Sequence, residues 1–389
     1  MTSRERVLSA LNHVEPDRVP IDLGTSDTFI AREVYEGLAD LLGMEPTAAA
    51  KAPHPNTFVT PDENMLEALG ADVRLVQVAR NPQAQKPTTG SKDSGREEIL
   101  SDGATQWIHP DGRVYRRAAG KWDVQLYSPA ITGGLTSKEI DRILPVSPEP
   151  NNWVDAEATC ADIERHHKNG FSVQCNNIIM PVTGTCGGFL DFTSWCTELA
   201  AQPNMLCRLM DRYLEHAFSR AESFYSAVGT FADTVYGIGD DVASHTGMWM
   251  SPEDYRRYIK PRHAEIIKFI KERSNAKIIH HCCGACREIL PDLIEIGVDA
   301  LNPTQTSAEI MDPFTLKRDF GKDITFWGGI DVMHLLPTGT ADDVEREVKR
   351  HIDALAPGGG YVFAPSHIIQ RFTPPENVMT MYRTALSYG

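Results

Sequence analysis

Apolar positions along this chain recur at two spacings. Residues 3–12 carry Val7, Leu8 and Leu11 one helical turn apart, and Pro16 closes that run. Arg18-Val19-Pro20-Ile21-Asp22-Leu23 then alternates as a strand. Further short β-rich runs follow at 71–78, 171–177, 232–239, 276–283, 298–302, 324–328 and 360–364, so with 19–23 the expected strands number eight. Helical patterns at 289–295, 313–319 and 341–354 separate the later strands, the βα alternation of a parallel sheet.

Eight such units predict a closed α/β barrel, the (β/α)8 or TIM barrel. One domain over residues 1–389 accounts for the pattern, with an N-terminal helical extension at about 1–17. One stretch departs from it. Gln106-Trp107-Ile108-His109, the turn residues Pro110-Asp111-Gly112, and Arg113-Val114-Tyr115 read as a β-hairpin, placed as an insertion at about 100–127. An open doubly wound sheet would show similar alternation, but no strand-turn-helix carries G-x-G-x-x-G and there is no Walker lysine loop.

Composition narrows the partners. The chain has 389 residues and a formal charge of −15, with no cluster of Lys and Arg to neutralise a phosphate backbone, which argues against nucleic acid. No stretch approaches the ~18 apolar residues of a membrane span, and charges interrupt the first apolar run, so the expectation is a cytoplasmic protein with no membrane partner. Eight cysteines allow four bridges, yet His281, Cys282, Cys283 and Cys286 crowd into one short segment; the thiols are read as reduced.

The chemistry gathers at strand ends. Ile278-Ile279-His280-His281-Cys282-Cys283-Gly284 turns polar at its C-terminal end, and alternation puts His281 and Cys283 on one face, His280 and Cys282 on the other. In a closed barrel all strand C-termini share one rim, so Phe363-Ala364-Pro365-Ser366-His367 brings His367 to the same mouth despite 84 residues of separation from Cys283. His281, Cys283 and His367, with an open fourth position, describe a catalytic zinc site. The competing readings are a solvated strand end, a buried cysteine acting as a small hydrophobe, a redox pair in Cys283-Gly284-Ala285-Cys286, and His367 as a histidine outside the ligand set. Other strand ends offer Asp240 and Asp241, Asn302 and Gln305, and Asp331. The aspartates are candidates to orient ligands or protonate a leaving oxygen, and Asn302 and Gln305 candidates for substrate hydrogen bonds, although each also suits a helix N-cap. Trp249 and Trp327 are candidate walls of an apolar substrate site, with core packing as the alternative.

These landmarks, in this order, resemble the uroporphyrinogen decarboxylase superfamily, especially its cobamide-dependent methyltransferase branch. The resemblance rests on Arg4-Glu5-Arg6-Val7 with Pro16-Asp17-Arg18-Val19-Pro20, on Leu69-Gly70-Ala71-Asp72, on Gly239-Asp240-Asp241, and on Ser251-Pro252-Glu253-Asp254-Tyr255 through Lys260-Pro261-Arg262. His281-x-Cys283-Gly284, Asn302-Pro303, Gly328-Gly329-Ile330-Asp331 and Pro375-Glu376-Asn377 complete it. It implies a TIM barrel and a zinc held by H-x-C plus a later Cys in a P-G-C segment. That last position here reads Pro365-Ser366-His367, so the third ligand implied is His367.

Decarboxylases of the family carry an arginine-rich R-Q-A-G-R-Y segment after the first strand, where this chain has Leu23-Gly24-Thr25-Ser26-Asp27-Thr28. Without guanidinium groups there, a −15 chain suits a polycarboxylate porphyrinogen poorly. No D-x-H-x-x-G cobalamin segment occurs either, so the corrinoid (cobalamin) cofactor is expected on a separate corrinoid protein. The implied function is transfer of methyl from a small methoxylated substrate to that corrinoid, an O-demethylase reaction. Its alternatives are methylcorrinoid:thiol or methylcorrinoid:tetrahydrofolate transfer, a metal-free decarboxylase and a non-catalytic corrinoid-binding module.

Overall fold

The structure is a computed structural model that describes residues 1–25, 27–45, 58–79, 81, 96–119, 125–144, 153–175, 179 and 182–389. Residues 176 and 177 of the third expected strand and 120–124 of the expected insertion lie outside them.

Eleven strands matter here: β1 (Val73–Val76), β2 (Arg96–Ile99), β3 (Thr105–Ile108), β4 (Val114–Arg117), β5 (Gln125–Ser128), β6 (Ser172–Cys175), β7 (Thr234–Gly239), β8 (Lys277–His281), β9 (Ala300–Asn302), β10 (Thr325–Ile330) and β11 (Tyr361–Pro365). Seven of them form one parallel sheet in the order β11-β10-β9-β8-β7-β6-β1. The first expected strand closes it. Ile21 bridges Phe363 in parallel, Phe363 N donates to Pro20 O at 2.8 Å, and on the other side Asp72 N donates to Ile21 O at 2.7 Å. The eight strand segments expected from the pattern are thus the eight staves of a TIM-like barrel.

Alternation sorts their side chains. Val73, Tyr236, Ile279, Ala300, Trp327, Val362 and Ala364 form an inner cluster, while Ile278, Cys282, Leu301, Phe326 and Phe363 pack outward against the helices in the main core. Helix α1 (Ser3–Leu11), started by a Thr2/Glu5 capping box, adds Val7 and Leu11 to the inner cluster, and Ala10 O accepts from Gly360 N at 2.8 Å. The N-terminal extension is therefore a plug in the barrel floor. Arg6 and Arg18 bind the fully buried Asp72 at 2.7 and 2.8 Å, and Arg6 also binds Asp17 at 2.7 Å. Three of the landmark segments meet in that one ion-pair cluster, far from any strand C-terminus.

The insertion is larger than a hairpin. Trp107 and Tyr115 face each other on β3 and β4 as the central pair, but β2 and β5 flank them to make a four-stranded antiparallel sheet. The outer strands Arg-Glu-Glu-Ile and Gln-Leu-Tyr-Ser are short and largely exposed, so no hydrophobic alternation announced them. Buried Arg113 ties this sheet to the loop after β6, donating to Gly187 O at 2.7 Å and pairing with Asp111. Among the described residues no helix is long and apolar enough to cross a membrane, and all eight cysteines are free thiols.

Candidate metal centre

His281 is the last residue of β8 and points inward; its ring lies 5.7 Å from that of the inner residue Tyr236. Its Nδ1 stands 3.0 Å from Asp27 Oδ2 and 3.0 Å from Asn302 Oδ1. A carboxylate oxygen only accepts, so Nδ1 carries a proton, and in the neutral ring that a metal binds the Nε2 lone pair is left free. Nε2 faces Cys283 Sγ at 3.4 Å. His367 follows β11 in the rim, its ring 5.7 Å from that of His281 and nearly perpendicular to it. One ligand atom from each of His281, Cys283 and His367 lies within 4.8 Å of the other two.

Zinc bonds of about 2.0–2.3 Å to nitrogen and sulfur set tetrahedral ligand separations of roughly 3.3–3.7 Å. The 4.8 Å span exceeds these separations by about 1 Å, a distance within the reach of side-chain rotation. Two neutral imidazoles and one thiolate are also a donor set that zinc accepts, so the residues present fit the metal.

Charges around the cluster act on each ligand differently. Burial disfavours the protonated His281 ring, but the Asp27 carboxylate beside it outweighs that and raises its pKa well above the usual range. Burial would push Asp27 up; instead the His281 ring and the Tyr236 hydroxyl bring it down to about 2. Burial raises the Cys283 thiol despite the opposing His281 contact, and burial lowers His367. A bound cation would reverse the thiol's position, since a coordinated thiol is deprotonated.

The remaining candidates fall in different places. Asp241, 39% exposed, accepts the Cys283 amide at 2.7 Å and lies 3.8 Å from His281 Nε2, at the edge of the cluster. Asp240, its neighbour, is fully buried and turned away: its oxygens accept from Val182 N, Thr183 N and the Thr183 hydroxyl, and face His263 Nε2 at 3.0 Å. Asp331 accepts from Met333 N and His334 N, the helix-start role open to it. Asn302 orients His281, whereas Gln305 accepts from Gly284 N at 2.7 Å. Trp327 is fully buried in the inner cluster, its Nε1 donating to Asp22 Oδ2 at 2.8 Å. Trp249 packs edge-on against Phe192 with ring centres 4.8 Å apart.

A cavity of about 390 Å³ opens over the cluster, with Cys283 and His367 in its wall alongside Ala243, His245, Val332 and Met333. Among the described residues no Asp, Glu, Lys or Arg lines it. Asp27, Tyr236 and His245 were not singled out from sequence. Asp27 carries one usable signal, its place just beyond the first strand's end, the position equivalent to the polar ends of strands four to eight that supply the other candidates.

The family model described as uroporphyrinogen decarboxylase (URO-D) matches residues 182–388. A methylated-thiol–coenzyme M methyltransferase from Methanosarcina mazei is 28% identical over 143 residues, 35% of this chain and 36% of the relative. A uroporphyrinogen decarboxylase from Citrifermentans bemidjiense is 27% identical over 198 residues, 50% of this chain and 52% of the relative. The matched regions thus span about a third to a half of those relatives' length. In fold, a methyltransferase from Methanosarcina mazei superposes with a TM-score of 0.60 at 17% identity, covering 100% of this chain and 99% of the other.

Proposed function

Because the chain belongs to the uroporphyrinogen decarboxylase family and gathers a metal-ligand cluster beneath a cavity with no Lys or Arg among its described lining residues, we propose that it is a zinc-dependent methyltransferase of the O-demethylase type. It takes methyl from a methoxylated aromatic substrate and delivers it to the cobalt of a corrinoid carried on a separate protein. The observation that carries this reading is the convergence of His281, Cys283 and His367 within 4.8 Å at the cavity wall. The likeness to two methyltransferases supports it.

In the reaction, cob(I)alamin gives the electron pair of the new Co–CH3 bond, and the methyl carbon leaves the ether oxygen. That oxygen keeps the pair of the broken bond, takes a proton and departs as a phenol. Zinc, when bound, supplies Lewis-acid stabilisation of charge on the departing heteroatom; a ligand set of two imidazoles and one thiolate gives a site charge of about +1, harder than one with a second thiolate.

The chain's own residues prepare this. Asp27 and Asn302 hold the Nδ1 proton of His281 and so keep Nε2 aimed at the cluster. To Asp241, beside the cluster and partly exposed, we assign, in its protonated form, the return of a proton to the leaving oxygen; Asp240 and Asp331 are engaged elsewhere.

The decarboxylase names among the relatives favour a second reading. Against it, the segment after the first strand contributes the acidic Asp27 to the barrel mouth, and among the described residues no guanidinium group for a polycarboxylate lines the cavity. The test incubates the zinc-loaded protein with cob(I)alamin and a panel of methoxyarenes, following methylcobalamin by absorbance and phenol by chromatography. Formation of both is expected and should be abolished by Cys283→Ala. Turnover of uroporphyrinogen with none of the methoxyarenes would contradict the proposal; demethylation of methylcobalamin by thiols or tetrahydrofolate alone would reverse its direction.

A further inference from the structure

The proposed function leaves the rest of the cavity without a role, and one contact there fixes a proton. His245 sits in the turn between the paired residues Ala243↔Met248 and Ser244↔Gly247, above the Cys283–Gly284 bend. That turn is pinned: Ser244 O accepts from Ala285 N at 2.8 Å and His245 O accepts from Glu309 N at 2.9 Å. The approach is close enough that a Cβ on Gly284 would lie 2.3 Å from Ser244 O, so only glycine fits.

Gln305 bridges bend and turn. Its Oε1 accepts from Gly284 N at 2.7 Å, which fixes the orientation of the amide. Its Nε2 is then a donor, and it stands 2.9 Å from His245 Nε2. That ring nitrogen must accept, so the proton of the neutral imidazole sits on Nδ1. Nδ1 has no hydrogen-bond partner among the described residues, and the ring lines the cavity beside Cys283 and His367.

We propose that His245 is a specificity-determining residue whose Nδ1–H donates to an oxygen acceptor of the substrate, and that this substrate carries no anionic group. The proposal deepens the O-demethylase reading and rests on it. Among the described lining residues none is Lys or Arg, and Asp27 and Asp241 beside the cluster oppose the charge of a bound zinc, so a carboxylate or sulfonate on the ligand would lose its water without a cationic partner. A second oxygen on the ring, apart from the methoxy group being cleaved, gives His245 its acceptor. The preferred class is therefore an arene bearing two oxygen substituents and no anionic group.

The experiment uses zinc-loaded protein labelled with 15N-histidine and three probes: 1,2-dimethoxybenzene, anisole and 3,4-dimethoxybenzoate. The wild type is expected to show the His245 proton on Nδ1 and to bind 1,2-dimethoxybenzene more tightly than either other probe. His245→Phe, which keeps a ring but loses the donor, should cut the preference over anisole about three- to tenfold, the worth of one hydrogen bond. In Gln305→Glu the atom facing His245 accepts, so a proton should appear on Nε2. A wild-type proton on Nε2, an unaltered preference in His245→Phe, or tighter binding of the benzoate would overturn the proposal. Failure of the underlying reading looks different: the tautomer and the binding preference hold, but no methyl reaches cob(I)alamin. Methyl transfer without any His245 discrimination would instead remove His245 and leave that reading standing.

Discussion

His281 carries its proton between the two acceptors Asp27 and Asn302, and this arrangement decides what the ring offers a metal. Removing the carboxylate should loosen the ring and lower the basicity of Nε2. Asp27→Ala is expected to weaken zinc binding by about 10–100-fold in a chelator competition, with Asp27→Asn in between; an unchanged affinity would detach Asp27 from the site. Asp22 makes a separate prediction. Burial, opposed by hydrogen bonds from Thr25, Trp327 and Thr28, raises its carboxyl from 3.8 to about 6, and its Oδ1 has no partner among the described residues. Because the folded value lies above the unfolded one, the folded state holds the extra proton between about pH 4 and 6. Stability from this group is present below that window and is lost as pH rises through it, by at most roughly 3 kcal/mol. Asp22→Asn should remove this dependence, so its stability relative to wild type should improve from pH 4 to pH 7 in denaturant titrations. A constant difference would show that Asp22 does not titrate in this range. At this scale the sequence was partly legible. Strand alternation separates His281 from His280, whose buried ring lies 5.2 Å from His263 on the opposite face. It says nothing of Asp240 against Asp241, because beyond the strand end the backbone no longer alternates. Asp27 and His245 lie in loops whose positions depend on contacts with residues 281 and 305, far along the chain.

At the scale of elements, starts and caps follow local chemistry and read clearly. Asp312 caps the helix Pro313–Phe320, accepting from Thr315 N at 3.0 Å, and also pairs with Arg350. Asp312→Ala is expected to cost about 1 kcal/mol by thermal or chemical unfolding while leaving zinc content unaltered. Loss of metal in that variant would mean the rim is more tightly coupled to this helix than its placement indicates. The inserted sheet was legible only at its centre, where Trp107 and Tyr115 flank a Pro-Asp-Gly turn; its outer strands lack an apolar face. Trp327 shows the limit of pattern from the other side. An aromatic residue near a barrel mouth reads alike as wall or core, and only the closed barrel puts it beneath Asp22 in the inner layer.

On the scale of the whole molecule, two ends of one barrel divide the work. The floor, sealed by α1 and the Arg6–Asp72–Arg18 cluster, holds landmarks that serve closure, while the rim holds the cluster and its cavity. Counting eight strands was enough to bring residues 281, 283 and 367 to one mouth, since closure converts distant strand ends into neighbours. The most direct test of the account is metal content by inductively coupled plasma mass spectrometry, on wild type and on a His281→Ala/Cys283→Ala variant purified without added metal. The account predicts near one zinc per chain in the wild type and its loss in a variant that stays folded. A wild type without metal even after zinc supplementation, or a variant that retains it, would contradict the metal centre and with it the proposed chemistry.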